Sequence, residues 1–204
     1  DEAAGCFRQV LDYLMLWMEA QEDLLPKHMH EMVKKLDSFS PWLEKAPVIL
    51  SEISIIGTNP KGESLWRQLQ SKIEGGIERA VIGGAFFDSE LNFIKSVKKD
   101  LSVKEIFVGI DPNTVKAPPL LSDVEGIKVV NTSQLTYEGA DDGVAAQYLH
   151  SKYIMLQASS GKEYLITGSA NPSAPAWLSP GNAGNTEMML VRSDGGVNEA
   201  IEVI

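Results

Sequence analysis

The sequence predicts an α/β fold in which a mixed β-sheet is flanked by helices and preceded by an α-helical N-terminal segment. Three observations lead there. Apolar side chains recur at three- and four-residue intervals near the start, the period of a helix. From Pro47 onward, short apolar runs alternate with helical segments, the order of an α/β domain. A chain of 204 residues with 44% hydrophobic content is also long enough to bury one full core and carry an appendage. The expected division is a helical segment over residues 1–46 and an α/β domain over residues 47–204.

Phe7, Val10, Leu11, Leu14, Trp17 and Met18 form one stripe of a first helix, a packing surface. A second helix is expected from Pro26, a residue suited to a first turn, with Met29, Met32, Val33 and Leu36 turned inward. His28 and His30 stand two apart on it and so point in different directions, which argues against a two-His metal pair and leaves both on the surface. In the α/β part, residues 48–56 read as a strand and 64–74 as a helix. Residues 79–87, with Gly83 and Gly84, read as a strand, and 90–100 as a helix capped by Asp88 or Ser89. Residues 105–110 make a third short buried strand. Asp111, Pro112, Asn113, Pro118 and Pro119 then break the chain, and a strand resumes over 127–130. A polar loop through Glu138, Asp141 and Asp142 follows, read as solvated because it lacks calcium-ligand spacing. Residues 148–157, 163–171 and 186–192 are three closing β segments.

Composition excludes several function classes. The formal charge of −10 makes the surface as a whole repel phosphate-bearing polymers, so any contact with one must come from a local cluster. Cys6 is the only cysteine, which excludes an internal disulfide and a Cys-based zinc site and fits a reducing compartment, the cytoplasm. No signal peptide or membrane anchor is read, since residues 10–18 are interrupted by Asp12 and too short to span a bilayer. Residues 57–64, GTNPKGES, miss the phosphate-cradling loop pattern because Glu63 stands where Lys is required. The sequence starts at Asp1 without Met, and residues 197–204 read as a helix without a C-terminal cap, so a piece of a longer chain is expected. Neither a metal nor a cofactor is expected.

The chemistry concentrates near the end of the sequence. On an extended strand, residues two apart share a face, so His150 and Lys152 in LHSKYIMLQ project together. The same spacing returns as Ser169 and Asn171 in ITGSANPS, and as Asn185 and Glu187 in NTEMMLV. If the three strands are neighbours, three polar pairs converge on one patch. There an imidazole can attack phosphorus, an ammonium can neutralise non-bridging oxygens, and hydroxyl and amide groups can bind those oxygens directionally. A carboxylate such as Glu187 would hold the imidazole in one tautomer and orientation. The blander alternatives stay open: a turn at residues 169–173, and a solvated strand residue at Glu187. Trp66, Trp177, Phe86 and Phe87 are aromatic enough to stack on bases, although packing is the commoner fate. Trp177, in a Pro-rich loop just after GSAN, is the one singled out for a test.

Taken together, these residues resemble the phospholipase D superfamily. His150 and Lys152 match its HxKx4D motif, Gly168-Ser169-Ala170-Asn171 its GSxN segment, and Asn185-Thr186-Glu187 its later N-x-E, in the same order. The resemblance extends more loosely upstream, through VIGGAFFDSELNFIKSVKK and EIFVGIDP, and covers about residues 47–204. It implies a phospholipase D-like half-unit with a metal-independent mechanism. Two such motifs meet at a pseudo-two-fold axis, one His forming a phosphohistidine and the other protonating the leaving oxygen, before water releases the product. By that resemblance His150 is nucleophile or general acid, Lys152 and Asn171 bind phosphate, Ser169 assists, Asn185 supports, and Glu187 orients the imidazole. One departure stands out: Gln157 replaces the motif's Asp, so that supporting interaction carries no charge.

The expected function is a phosphodiesterase half-site, most plainly a nuclease domain of a larger protein, with DNA or RNA as substrate. The partner motif would come from a following half of the same polypeptide, the preferred arrangement, or from a second identical subunit. Two alternatives compete. A lipid phosphodiesterase would need an apolar interfacial surface, which the sequence does not locate. A non-catalytic module for binding phosphodiester backbones or for dimerisation would fit Gln157 and the negative charge.

Overall fold

Seven strands make one mixed sheet in the computed structural model of the chain, which describes residues 2–47, 52–112, 115, 121, 124–134, 150–181 and 183–193. Several expectations lie outside the described residues: the strand start at 48–51, the breaks at Asn113, Pro118 and Pro119, the loop of Glu138, Asp141 and Asp142, residues 148–149, and the terminal helix over 197–204. The strands are β1 (Ile53–Gly57), β2 (Ile77–Gly83), β3 (Glu105–Ile110), β4 (Ile127–Asn131), β5 (Tyr153–Ala158), β6 (Glu163–Gly168) and β7 (Met188–Arg192). Across the sheet their order is β1-β7-β6-β5-β2-β3-β4. β2, β3 and β4 run parallel, and the other neighbours pair antiparallel. The helices are α1 (Glu2–Ala20), α2 (Lys27–Phe39), α3 (Leu65–Gln70), α4 (Asn92–Asp100) and α5 (Ala174–Trp177). This is the fold class that the sequence predicts.

Strict alternation in β1, β5, β6 and β7 sends every second side chain to one face, among them Ile56, Ile154, Leu156, Tyr164, Ile166, Met189 and Val191. Side chains from α3, α4 and α5 join them in one core. Trp177 is fully buried there, stacked on Phe93 with ring centroids 5.0 Å apart. Trp66 meets Phe93 edge-on at 5.6 Å and donates its indole N–H to Asp100 Oδ2 at 2.8 Å. Each such ring stabilises the fold by about 1.5–3 kcal/mol through burial. The test of Trp177 as a base-stacking residue is thereby answered on geometry: its ring belongs to the core.

α1 lies along the edge strand β1. The backbone N–H of Ile55 donates to Gln9 Oε1 at 2.7 Å, and the indole of Trp17 donates to the Thr58 carbonyl at 2.9 Å. A helix placed this way satisfies groups that would otherwise template another strand. Tyr13 packs so closely that a Cβ at Gly57 would lie 2.3 Å from its ring.

α2 departs from expectation. None of its side chains is buried, and Met29, Met32 and Leu36, expected to face inward, are 43, 65 and 49% exposed. Among the described residues α2 packs on α1, and one neighbouring helix is too narrow to cover a whole apolar face. Strand boundaries are also shorter than expected: β2 stops at Gly83, β6 at Gly168, and β5 and β7 start at Tyr153 and Met188. The polar pairs read as strand residues therefore sit in the segments just beyond the strands.

Candidate active site

Five strand termini meet at one end of the sheet. The register pairs Gly83, the last residue of β2, with Tyr153, the first of β5, and Tyr153 with Thr167 near the end of β6. Gly168 at the end of β6 pairs with Met189, and Met188 at the start of β7 pairs with Gly57 at the end of β1. Lys152, Ser169, Glu187 and Thr58 occupy the next positions outward. Convergence of strand ends, rather than a shared strand face, gathers the polar residues.

One part of the cluster is densely bonded around a buried carboxylate. Glu187 is 8% exposed, and its carboxylate accepts from the Ser169 hydroxyl and, at 3.2 Å, from the Asn185 amide. The Ser169 hydroxyl also accepts from Met188 N at 3.0 Å, and Ser169 N donates to the Met188 carbonyl at 3.1 Å. Behind them stands Thr58, 3% exposed, whose hydroxyl accepts from Glu187 N and donates to the Asn185 carbonyl, both at 3.0 Å. Thr58 N and the Tyr13 hydroxyl both donate to the Glu187 carbonyl, at 2.9 and 3.2 Å. Burial pushes the Tyr13 hydroxyl pKa upward, so it stays a donor. A buried carboxylate held this way keeps one geometry, because each unmet bond would carry a desolvation cost.

The other part is a cation beside an exposed imidazole. Lys152 Nζ lies 3.1 and 3.2 Å from the two ring nitrogens of His150 and donates to the His150 carbonyl at 2.9 Å. Burial lowers the Lys152 pKa, and the negative charge of Glu187 partly restores it. The bond from Gly168 N to the Lys152 carbonyl at 3.4 Å brings the two parts into adjoining segments. The arrangement offers an anion one ammonium, an imidazole and a hydroxyl whose orientation a carboxylate fixes.

Asn171 follows Ser169 by two residues, and its side-chain Oδ1 is buried with no hydrogen-bond partner among the described residues. Its neighbour Pro172 is wedged against Gly84, the residue just past β2, where a Cβ would fall 2.3 Å from Pro172 Cδ. Gln157 does not join the cluster. It sits at the opposite end of β5, pairs with Arg79 and Glu163, and donates to Glu163 Oε1 at 3.0 Å. The supporting role expected of it is therefore not carried by contact with the other site residues. Thr58 and Tyr13 are the participants that sequence reasoning misses. Only the position of Thr58 at the end of an apolar strand could have flagged it, and Tyr13 lies in a helical stripe that reads as packing. Among the described residues no group of three His, Cys, Asp or Glu side chains is placed to hold a metal ion.

In overall shape the chain is similar to NucT from Helicobacter pylori, with a TM-score of 0.48 and 17% identity over 74% of this chain and 91% of that one. It is also similar to the yeast tyrosyl-DNA phosphodiesterase, with a TM-score of 0.41 and 11% identity over 68% of this chain and 31% of that one. The chain thus spans less than a third of the yeast enzyme. No protein-family model and no curated protein matches it.

Proposed function

We propose that the chain carries one half of a phosphodiester-cleaving active site of the phospholipase D type, acting on DNA or RNA. The observation that carries this reading is the gathering of two groups in adjoining segments at one end of the sheet: His150 with Lys152, and Glu187 with Ser169 and Asn185. Lys152 and the amide of Asn171 would bind the non-bridging oxygens. The His150 ring would attack phosphorus, displacing the ester oxygen, or would protonate that oxygen as a second imidazole attacks. Water would then cleave the phosphorus–nitrogen bond. Glu187 fixes Ser169 and offsets the charge of Lys152.

A second imidazole must come from outside this cluster. The chain has three histidines, and His28 and His30 both lie on α2, so another copy of the motif is required. We place it in a following part of the polypeptide or in a second subunit. The lone Cys6 supports a cytoplasmic setting, and no helix among the described residues is long and apolar enough to cross a membrane.

A lipid substrate is the second reading, favoured by one observation. Leu24, Met32, Phe39 and Trp42, on and around α2, are 77, 65, 80 and 52% exposed, an apolar surface of the kind an interfacial enzyme presents. The experiment that separates the readings offers the full-length protein a labelled oligonucleotide and phosphatidylcholine vesicles, both in EDTA. Cleavage of the strand and not the lipid is expected. Lipid hydrolysis alone would favour the second reading, and an absolute need for magnesium would contradict the mechanism. Strand retention without cleavage, unaffected by His150→Ala, would mark a non-catalytic binding module.

A further inference from the structure

We infer that Phe86 is a base-stacking residue on the rim of this site, so that the strand it takes has an unpaired base beside the bound phosphodiester. The inference rests on the phosphodiester reading of the cluster. Phe86 is 61% exposed, while its neighbour Phe87 packs against the core. An outward aromatic on a loose loop would mean little, but this loop is clamped at both ends to the segment that carries Asn171. At one end, Gly84 lies against the Pro172 ring, closely enough that a Cβ there would sit 2.3 Å from Cδ. At the other, the Asp88 carboxylate accepts from Ala174 N at 3.0 Å, and from Asn92 N and Phe93 N at 2.7 and 3.3 Å. Phe86 lies midway between these anchors. Two residues from Gly84 span at most about 7 Å of chain, which keeps Phe86 beside the 171–174 segment.

The chemistry of the whole chain gives such a ring a purpose. At a net charge of −10, long-range electrostatics oppose a polyanion, and Lys152 is the cation that the cluster itself supplies. Stacking on a base gives affinity that does not depend on charge and is indifferent to sequence, because every base has a π-face. A base inside a duplex has both faces covered already, so the selected substrate is single-stranded or frayed.

The test measures binding of the full-length protein to three fluorescent probes: a single-stranded oligodeoxynucleotide, an abasic strand of the same length, and a duplex. Wild type is expected to prefer the single strand over both others. Phe86→Ala should weaken single-strand binding roughly tenfold, within the range for losing one stacked base, and leave abasic binding unchanged. Phe86→Trp should restore the affinity. The Phe86→Ala loss should persist at high salt, whereas the Lys152→Ala loss should shrink. An equal loss on both strands, or none on either, would overturn the stacking role. If wild type binds neither strand but sediments with phosphatidylcholine vesicles, the phosphodiester reading fails in its nucleic-acid form and the inference falls with it. Strand binding that depends on Lys152 but not on Phe86 would sink the inference alone.

Discussion

Glu187 and His150 lie in the same cluster, yet they are built into it differently. Glu187, Ser169 and Asn185 are tied to one another, to Thr58 and to α1 through Tyr13, around a carboxylate and a threonine hydroxyl that are themselves buried. His150 is exposed, and the ammonium beside it bonds within its own segment. A buried polar network costs stability when broken, whereas an exposed pair costs little. The fold thus holds the Glu187 part of the cluster in place, and the His150 part stands toward solvent; on the proposed reading the second is where a substrate arrives. Changes to the first part should damage stability and activity together; changes to the second should damage activity alone.

That contrast can be broken most forcefully at Glu187. Glu187→Ala empties a buried position and removes the bonds to the Ser169 hydroxyl and the Asn185 amide, so unfolding free energy should fall by about 1–3 kcal/mol and activity by roughly a hundredfold. Lys152→Met should cost a similar factor in kcat/KM with a stability change under about 0.5 kcal/mol. Denaturant melts of the two variants check this, and equal destabilisation would erase the distinction. Gly84→Ala comes next, because its methyl must displace Pro172 and with it Asn171. A shift of about 1 Å there should lower kcat by roughly ten- to a hundredfold, with about 1–3 kcal/mol lost from stability.

The pH dependence sharpens the comparison further. Burial already lowers the Lys152 pKa, so its charge is lost at a lower pH than that of an ordinary lysine, and activity should decline on the alkaline side correspondingly early. The charge of Glu187 raises that pKa. Glu187→Gln should therefore move the alkaline limb to still lower pH, which a rate profile would register. An unmoved limb would mean that the two parts are not coupled. The smallest effect is expected at Gln157→Asp, which restores the charge of the familiar motif at the far end of β5. It sets a carboxylate against Glu163, so activity should stay unchanged while stability drops by no more than about 1 kcal/mol.

Residues whose role follows from local pattern were legible in the sequence. β3 occupies Glu105–Ile110 as expected because an apolar run is bounded by Lys104 and Asp111. Asp88 caps α4 as expected because its carboxylate reaches the first N–H groups. Residues whose role depends on what lies opposite were not. The stripe on α2 identifies an amphipathic helix but not the lack of a partner broad enough to cover it. Trp177, singled out as a candidate for stacking, lies in the core while Phe86 is exposed, since sequence cannot tell which aromatic faces the core. Thr58 is a hydroxyl at a strand end until β7 is laid beside β1, and only then is it a bonding partner of Glu187.

The most direct test of the account replaces the imidazole. Cleavage of a labelled single-stranded oligonucleotide in EDTA would be followed for the full-length protein and for His150→Asn, with circular dichroism and a denaturant melt on each. The account predicts a loss of roughly a thousandfold, within the span that acid–base groups contribute, with fold and stability intact because His150 is exposed. Undiminished cleavage by the variant would contradict it.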